Sequence, residues 1–312
     1  MRRLAFLLLL AVTSHAQDLR TAALGDFKLD DGEVIRDCRI AYRMYGAANV
    51  KTIVVTTWLG GSTTGLASSI GDGKLFDTSK YRVIAIDAFG DGLSSSPSNS
   101  AMKPFPRFTI RDMVRSQYEL LTRELHIDHV YAISGLSMGG MQTFQWLASY
   151  PDFMDNAIAI TGTPKQTSYD LLLWNAELNV LASNVAEPMK MIADINSMHL
   201  NTPRYIVGHV KPASVGEWMT AREAAVGKLN RDDYESQVRA VVTHDIGIIG
   251  TPHARVLVIV SEHDQMVNPT PAREFANTHH ARLVTLSGDC GHLASACEAE
   301  KVKAAVHAFL DR

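Results

Sequence analysis

The stretch Val130-Tyr131-Ala132-Ile133-Ser134-Gly135-Leu136-Ser137-Met138-Gly139-Gly140-Met141 decides the fold. Its first half, Val130 to Ser134, is apolar and strand-like, and the residues from Met138 to Ser149 read as a helix. Between them stands Gly135-Leu136-Ser137-Met138-Gly139, a Gly-x-Ser-x-Gly pattern in a strand-to-helix setting. In that setting the pattern describes a sharp turn that lifts a serine hydroxyl clear of its neighbours. The flanking glycines leave room for the turn, and the helix N-terminus favours negative charge developing beside the serine.

Outward from this turn, short apolar runs alternate with helical patterns. Thr52 to Thr57, Tyr81 to Asp87, Val130 to Ser134, Ala157 to Thr161, Arg255 to Val260 and Arg282 to Leu286 read as strands. Thr109 to Leu125 carries apolar residues at helical spacing, and Glu298 to Leu310 closes the chain as a helix. Such alternation predicts an α/β fold with a mostly parallel, doubly wound sheet. Phe27 to Asp30 and Glu33 to Tyr45, around an Asp30-Asp31-Gly32 turn, read as a leading antiparallel hairpin. Between about 165 and 250 the pattern turns helical: Leu171 to Ala182, Pro188 to Met198, Val215 to Lys228 and Asp232 to Thr243. An insertion there emerges at the carboxyl ends of the strands, where ligands bind, and is expected to form a cap.

Composition narrows the function. A net charge of −3 gives no electrostatic case for nucleic acid or an anionic membrane. The glycines form no phosphate-binding loop, and no His, Cys, Asp and Glu spacing resembles a metal site. Arg2-Arg3, the apolar run Leu4 to Val12 and Ser14-His15-Ala16 read as an export signal over residues 1–16, cleaved after Ala16. Residues 17–312 are then one mature domain in a periplasm or outside the cell, with no membrane span. Export permits disulfides, and Cys290 and Cys297 bracket His292. A bridge there would brace that loop; three free thiols, with Cys38, is the other arrangement.

A serine nucleophile needs a base, and the base needs a third group to hold its tautomer. The run Val256 to Val260 leads into Ser261-Glu262-His263-Asp264, and Arg282 to Leu286 leads into Ser287-Gly288-Asp289-Cys290-Gly291-His292. Asp264 is the expected acid, with Glu262 and Asp289 as alternatives. His292 is the expected base, ahead of His253, His263, His279 and His280. The backbone N–H groups of Met138 and of Leu59, or Trp58 in its place, are the expected oxyanion donors. The donor loop reads Trp58-Leu59-Gly60-Gly61-Ser62.

These residues carry a resemblance. The chain resembles the α/β-hydrolases, and within them the homoserine O-acetyltransferase group. The matching segments are Ile70-Gly71-Asp72-Gly73-Lys74, Asp77 to Asp87, Phe108 to Val114, Ser137 to Gln142, Tyr150-Pro151, and Asp232 to Asp245 with Tyr234 and His244-Asp245. The resemblance implies an α/β-hydrolase fold with Ser137, Asp264 and His292 as nucleophile, acid and base, no cofactor, and a homodimer built through the cap. Two departures bear on substrate. Leu136 stands where the group carries a second glycine, and Leu293 replaces the aspartate that would receive an amino-acid ammonium. Arg204 and Arg222 are the candidates for a carboxylate-holding cap arginine.

The expectation is therefore an exported serine hydrolase acting on a carboxylic ester, with a small acyl compound as its partner. An O-acyltransferase using acetyl-coenzyme A is the alternative, and a non-catalytic binding protein on the same fold is the third reading. Dehalogenase or epoxide-hydrolase chemistry would call for an aspartate at the Ser137 position.

Overall fold

A computed structural model describes residues 18–48 and 50–312. The expected export signal, with cleavage after Ala16, lies outside the described residues. Among them, no helix is long and apolar enough to cross a membrane.

Among the described residues, eight strands form one sheet in the order β1-β2-β4-β3-β5-β6-β7-β8. They are β1 (Arg20–Lys28), β2 (Val34–Tyr45), β3 (Thr52–Thr56), β4 (Arg82–Ile86), β5 (Val130–Leu136), β6 (Met154–Ile160), β7 (Arg255–Ser261) and β8 (Arg282–Leu286). The first two pair antiparallel with each other, β2 runs antiparallel to β4, and the rest are parallel. The mixed, mostly parallel sheet matches the expectation from the alternating pattern.

Strand limits differ from the sequence reading in instructive ways. β1 starts at Arg20 rather than Phe27, and its register shifts on both sides of Gly25. The shift breaks the period of two: Ala22 and Leu24 point inward, then Phe27 does. A broken alternation is hard to see as a strand. β5 and β6 each run longer than the apolar core that announced them, so β5 reaches Leu136 and delivers Ser137 directly.

The α-helices among the described residues are α1 (Thr63–Leu66), α2 (Ile110–Glu119), α3 (Met138–Ser149), α4 (Ser168–Ala182), α5 (Pro188–Leu200), α6 (Pro203–His209), α7 (Val215–Val226), α8 (Arg231–Val242), α9 (Thr270–Thr278), α10 (Ala294–Cys297) and α11 (Ala299–Leu310). Thr109 caps α2 reciprocally with Asp112, and the helix continues to Glu124 as a wider turn. The core lies on both sheet faces. Val54, Ile84, Ile86 and Ile133 pack with α2 and α3 on one face. Ile53, Val55, Val83, Ala132 and Leu257 pack with α1 and α11 on the other. Successive β3 residues thus serve opposite layers, as a sheet covered on both faces requires.

Helices α4 to α8 form the insertion between β6 and β7, and α6 was not evident from the sequence. Entry and exit are pinched together. Gln166 N–H donates to the His244 carbonyl, Ile246 N–H donates to the Pro164 carbonyl, and Lys165 faces Asp245. Burial holds the His244 imidazole down at about 4, so its ring is neutral and the Nε2–H donates to the Thr163 carbonyl at 3.0 Å.

Inside the insertion, α4, α5 and α8 meet around a buried polar group. The Tyr234 hydroxyl donates to Glu177 Oε2 at 2.9 Å, and Asn196 Nδ2 donates to the Tyr234 oxygen at 3.2 Å. Glu177 is fully buried, and burial pushes its carboxyl up to about 8. The folded state therefore holds a proton there that the unfolded chain releases near pH 4. That contribution to stability is present at acid pH and declines as pH rises toward 8, by on the order of 5 kcal/mol. Glu177→Gln removes the titration. Its stability relative to the wild type should rise steadily between pH 5 and pH 8 and then level off. Urea unfolding across that range measures it, and a constant difference would contradict the assignment.

Candidate active site

Ser137 sits between the last residue of β5 and the first of α3, with φ 57° and ψ −119°. Left-handed φ is rare for a residue with a side chain, and here close packing imposes it. A Cβ on Gly135 would fall 2.3 Å from the Gly139 carbonyl group and 2.6 Å from Thr56 Oγ1. A Cβ on Gly139 would fall 2.6 Å from the Thr56 carbonyl oxygen. Helix α3 therefore lies against the ends of β3 and β5 at a distance only glycine permits. Thr56 Oγ1 and Thr143 Oγ1 both donate to the Gly139 carbonyl, at 3.1 and 3.0 Å, and hold the contact.

The structure brings the three expected side chains together. Ser137 Oγ lies 2.9 Å from His292 Nε2, and His292 Nδ1 lies 2.7 Å from Asp264 Oδ2. The Asp264 carboxylate accepts the Nδ1–H, so Nε2 faces the serine as an acceptor. Asp264 Oδ1 takes the Met266 and Val267 N–H groups at 2.9 Å each, which fixes the carboxylate plane. Both side chains are nearly enclosed: 1% exposed for Asp264 and 8% for His292.

The alternatives stand elsewhere. Glu262 and His263 are exposed. Asp289 faces Arg204 at 3.8 Å, His253 pairs with Asp152, His279 leans on Phe275, and His280 is exposed. Arg204 is 88% exposed. Arg222 stacks on Trp218 and donates to Asn201 Oδ1 at 2.6 Å. Leu293 follows His292, half-buried.

The two expected oxyanion donors occupy matching places. Thr56 of β3 pairs with Gly135 of β5, and Leu59 and Met138 each follow that pair by three residues. The Met138 N–H belongs to the first turn of α3, whose donors have no partner inside the helix. Leu59 lies in a turn closed by the Gly61 N–H on the Trp58 carbonyl at 2.9 Å, and its own N–H makes no hydrogen bond among the described residues. The Trp58 ring packs against Gly61 and Gly65.

The loop carrying His292 is braced from three sides. Cys290 and Cys297 form a disulfide, leaving Cys38 as a buried free thiol pushed up to about 12 by burial. Gly291 has φ 66°, and a Cβ there would fall 2.9 Å from the Leu200 carbonyl oxygen. The α5–α6 junction reaches across: Asn201 Nδ2 donates to the Cys290 carbonyl at 3.0 Å and Thr202 Oγ1 to the Asp289 carbonyl at 2.5 Å. Glu298 Oε1 accepts the Gly288 N–H at 2.9 Å. Sequence reasoning missed Asn201 and Thr202, which lie far from the loop in the chain and match no motif.

Two substitutions test this construction. Gly135→Ala drives a methyl into backbone and should cost about 3 kcal/mol or more, or prevent folding, seen as loss of soluble protein or a lowered Tm. Replacing Cys290 and Cys297 together by Ser removes a short closed loop and should cost about 2.5 kcal/mol in thermal unfolding. An unchanged Tm would mean the other braces suffice.

Comparison with known proteins agrees with this architecture. The family model for the alpha/beta hydrolase fold matches residues 59–296, most of the chain. A probable esterase of Corynebacterium glutamicum is 38% identical over 161 residues, covering 49% of this chain and 46% of that protein. An ethyl acetate hydrolase of Pseudomonas veronii is 34% identical over 171 residues, covering 52% and 49%. These alignments span about half the length of the relatives they match. A homoserine O-acetyltransferase of Methanococcoides burtonii is 26% identical over 352 aligned positions, covering 92% of this chain and 72% of that protein. The solved acetyl esterase MekB superposes with a TM-score of 0.88 at 22% identity, over 95% of this chain and 97% of that one. The homoserine O-acetyltransferase of Staphylococcus aureus gives 0.85 at 20% identity, over 95% of each. At these identities the superpositions speak for the fold alone. With the serine turn, the parallel sheet and the family match in agreement, the chain belongs to the α/β-hydrolase fold family.

Proposed function

We propose that the protein is a serine hydrolase that cleaves a carboxylic ester through an acyl-enzyme on Ser137, and that it works in a periplasm or outside the cell. The observation that carries the chemistry is the continuous contact from Ser137 Oγ to His292 Nε2 at 2.9 Å and from His292 Nδ1 to Asp264 Oδ2 at 2.7 Å. Export rests on the pattern of residues 1–16.

The steps follow from these atoms. His292 Nε2 takes the hydroxyl proton as Ser137 Oγ bonds to the ester carbonyl carbon. The carbonyl oxygen becomes an oxyanion, and the N–H groups of Met138 and Leu59 stabilise it. The carbon–oxygen bond to the alcohol breaks, and the leaving oxygen takes the proton from His292. Water then gives a proton to His292 while its oxygen attacks the acyl carbon. The second tetrahedral species collapses, Ser137 Oγ regains the proton, and the carboxylic acid leaves. Asp264 holds the Nδ1–H tautomer and stabilises the imidazolium in both halves.

Two relatives named for acetate-ester or esterase activity support hydrolysis of a short acyl ester. A second reading, transfer of the acyl group to an alcohol, rests on the homoserine O-acetyltransferase that aligns with 92% of the chain. Leu293 weighs against homoserine as that alcohol, since a leucine side chain offers nothing to an ammonium group.

Ser137→Ala should lower kcat/KM on p-nitrophenyl acetate by at least about 10⁴-fold while far-UV circular dichroism stays unchanged. Mass spectrometry of the wild type with the same ester should find an acyl adduct on Ser137 that water alone clears. An adduct formed from acetyl-coenzyme A and cleared only when an alcohol acceptor is added would favour transfer. Full activity in Ser137→Ala would refute both.

A further inference from the structure

We infer that Gln237, on insertion helix α8, is a positioning residue for the oxyanion site, and that it acts by holding the Leu59–Gly60 peptide in place. The inference rests on the proposed esterase reading and goes beyond it by tying the insertion to the reaction itself.

The Gln237 side chain is fully buried and forms two bonds of opposite sense. Its Oε1 accepts the Gly60 N–H at 2.8 Å, and its Nε2 donates to the Phe89 carbonyl at 2.9 Å. One amide thus clamps the loop after β3 to the loop after β4. Crowding fixes its position: a Cβ on Gly90 would fall 2.9 Å from Gln237 Cγ. Asp233, one turn earlier on α8, anchors the helix to the same region by accepting the Ser98 N–H at 2.8 Å and the Ser98 hydroxyl at 2.6 Å.

The clamped peptide matters because of the turn around it. Trp58 to Gly61 is a four-residue turn closed by the Gly61 N–H on the Trp58 carbonyl, and Gly60 has φ +67°. Positive φ at the third position marks a type II turn, which differs from type I by a flip of the central peptide. That central peptide carries the Gly60 N–H that Gln237 holds. A flip would turn this N–H away but leave the Leu59 N–H on its own peptide, so Gln237 bears on that donor by holding the whole Trp58–Gly61 turn in place. Of the donors on Leu59, Gly60 and Gly61, two are already engaged within the protein, by Gln237 and by Trp58. The Leu59 N–H is left for an oxyanion. Gln142 holds the root of the loop from the other side, with Nε2 donating to the Thr57 carbonyl at 3.0 Å.

Preorganised donors lower the barrier because they need not reorient as charge develops. A loosened Leu59 should therefore weaken transition-state binding and spare ground-state binding. The test compares wild type, Gln237→Met and Gln237→Glu on p-nitrophenyl acetate and on a trifluoromethyl ketone, whose adduct with Ser137 carries an oxyanion. Gln237→Met keeps the volume and removes both hydrogen bonds. Its kcat should fall about tenfold with KM within about twofold, and the ketone Ki should rise by the same factor as kcat falls. Gln237→Glu keeps the acceptor for Gly60 and loses the donor to Phe89 when ionised. Its activity relative to wild type should recover as pH falls, because the protonated carboxyl donates again. Measured at pH values where circular dichroism shows Gln237→Glu fully folded, that recovery separates positioning from destabilisation, and it carries the test if Gln237→Met fails to fold.

Wild-type kcat and ketone affinity in a folded Gln237→Met would overturn the inference. So would a fall in kcat with ketone affinity unchanged, or a Gln237→Glu deficit independent of pH. If the wild type takes no acyl group on Ser137, the esterase reading fails and the inference falls with it. If the wild type is acylated and Gln237→Met matches it, this inference alone fails.

Discussion

Everything at the candidate site depends on how closely helix α3 approaches the ends of β3 and β5. The contact is backbone on backbone: Gly139 against the Thr56 carbonyl, and Gly135 against Gly139. No side chain larger than hydrogen fits, and that closeness forces Ser137 into its left-handed conformation. It also aims the first N–H groups of α3 at the space above the serine, where the helix dipole favours negative charge. One steric constraint thereby sets the Ser137 hydroxyl at the head of the turn and the proposed oxyanion donor beside it. The tight core around it is apolar, with Met141, Phe144 and Trp146 of α3 buried against the sheet and its neighbouring helices.

Side-chain amides then carry that rigidity outward. Trp146 Nε1 donates to Gln117 Oε1 at 2.9 Å, Gln117 Nε2 to Gln142 Oε1 at 2.6 Å, and Gln142 Nε2 to the Thr57 carbonyl. Every link is buried, and each amide both gives and takes a hydrogen bond along the line, Gln142 Nε2 also reaching the Met138 carbonyl at 3.3 Å, so no polar atom along it is left without a partner. The line begins under the nucleophile helix and ends at the root of the loop that carries Leu59. Gln237 meets that loop from the insertion side. The loop is therefore held by two amides from separate parts of the chain, one from the sheet-packing core and one from the helices above it.

How much of this was legible in the sequence depended on whether a residue acts locally. Ser137, Asp264 and His292 each follow a strand that its own apolar run announces, so position along the chain located them. The loop of Trp58 and Leu59 was legible for the same reason, past the β-branched run of β3. Gln237, Gln142, Asn201 and Thr202 were not. Each is a polar residue inside a helix or at a helix junction, where composition gives the same signal as a solvated face. Only the folded arrangement turns Gln237 toward Gly60, 177 residues away in sequence. The first strand was misplaced by a different cause: the irregularity at Gly25 erased the alternation that marks a strand. The Cys290–Cys297 bridge could be weighed but not settled, because spacing carries no information on where two Cβ atoms point.

The distribution of braces follows from how far each functional group stands from the sheet. Ser137 directly follows β5, and Asp264 is the third residue past β7. Both inherit their positions from hydrogen-bonded strands, and two backbone N–H groups are enough to fix the Asp264 carboxylate. His292 is the sixth residue past β8, on a loop with no ladder to hold it. It is the member that must move least, since its two nitrogens serve two partners at once. That loop is where the disulfide, the left-handed Gly291, the Glu298 contact and the Asn201 and Thr202 bonds collect. Two of those braces come from the insertion, as does Gln237 on the opposite loop. The insertion thus grips both loops that flank Ser137, so a change in how its helices pack reaches the His292 loop and the Leu59 loop together. Its own interior bears on that coupling, because a buried carboxyl at Glu177 places a titrating group beside Tyr234, whose ring lies against Gly60 of the same loop.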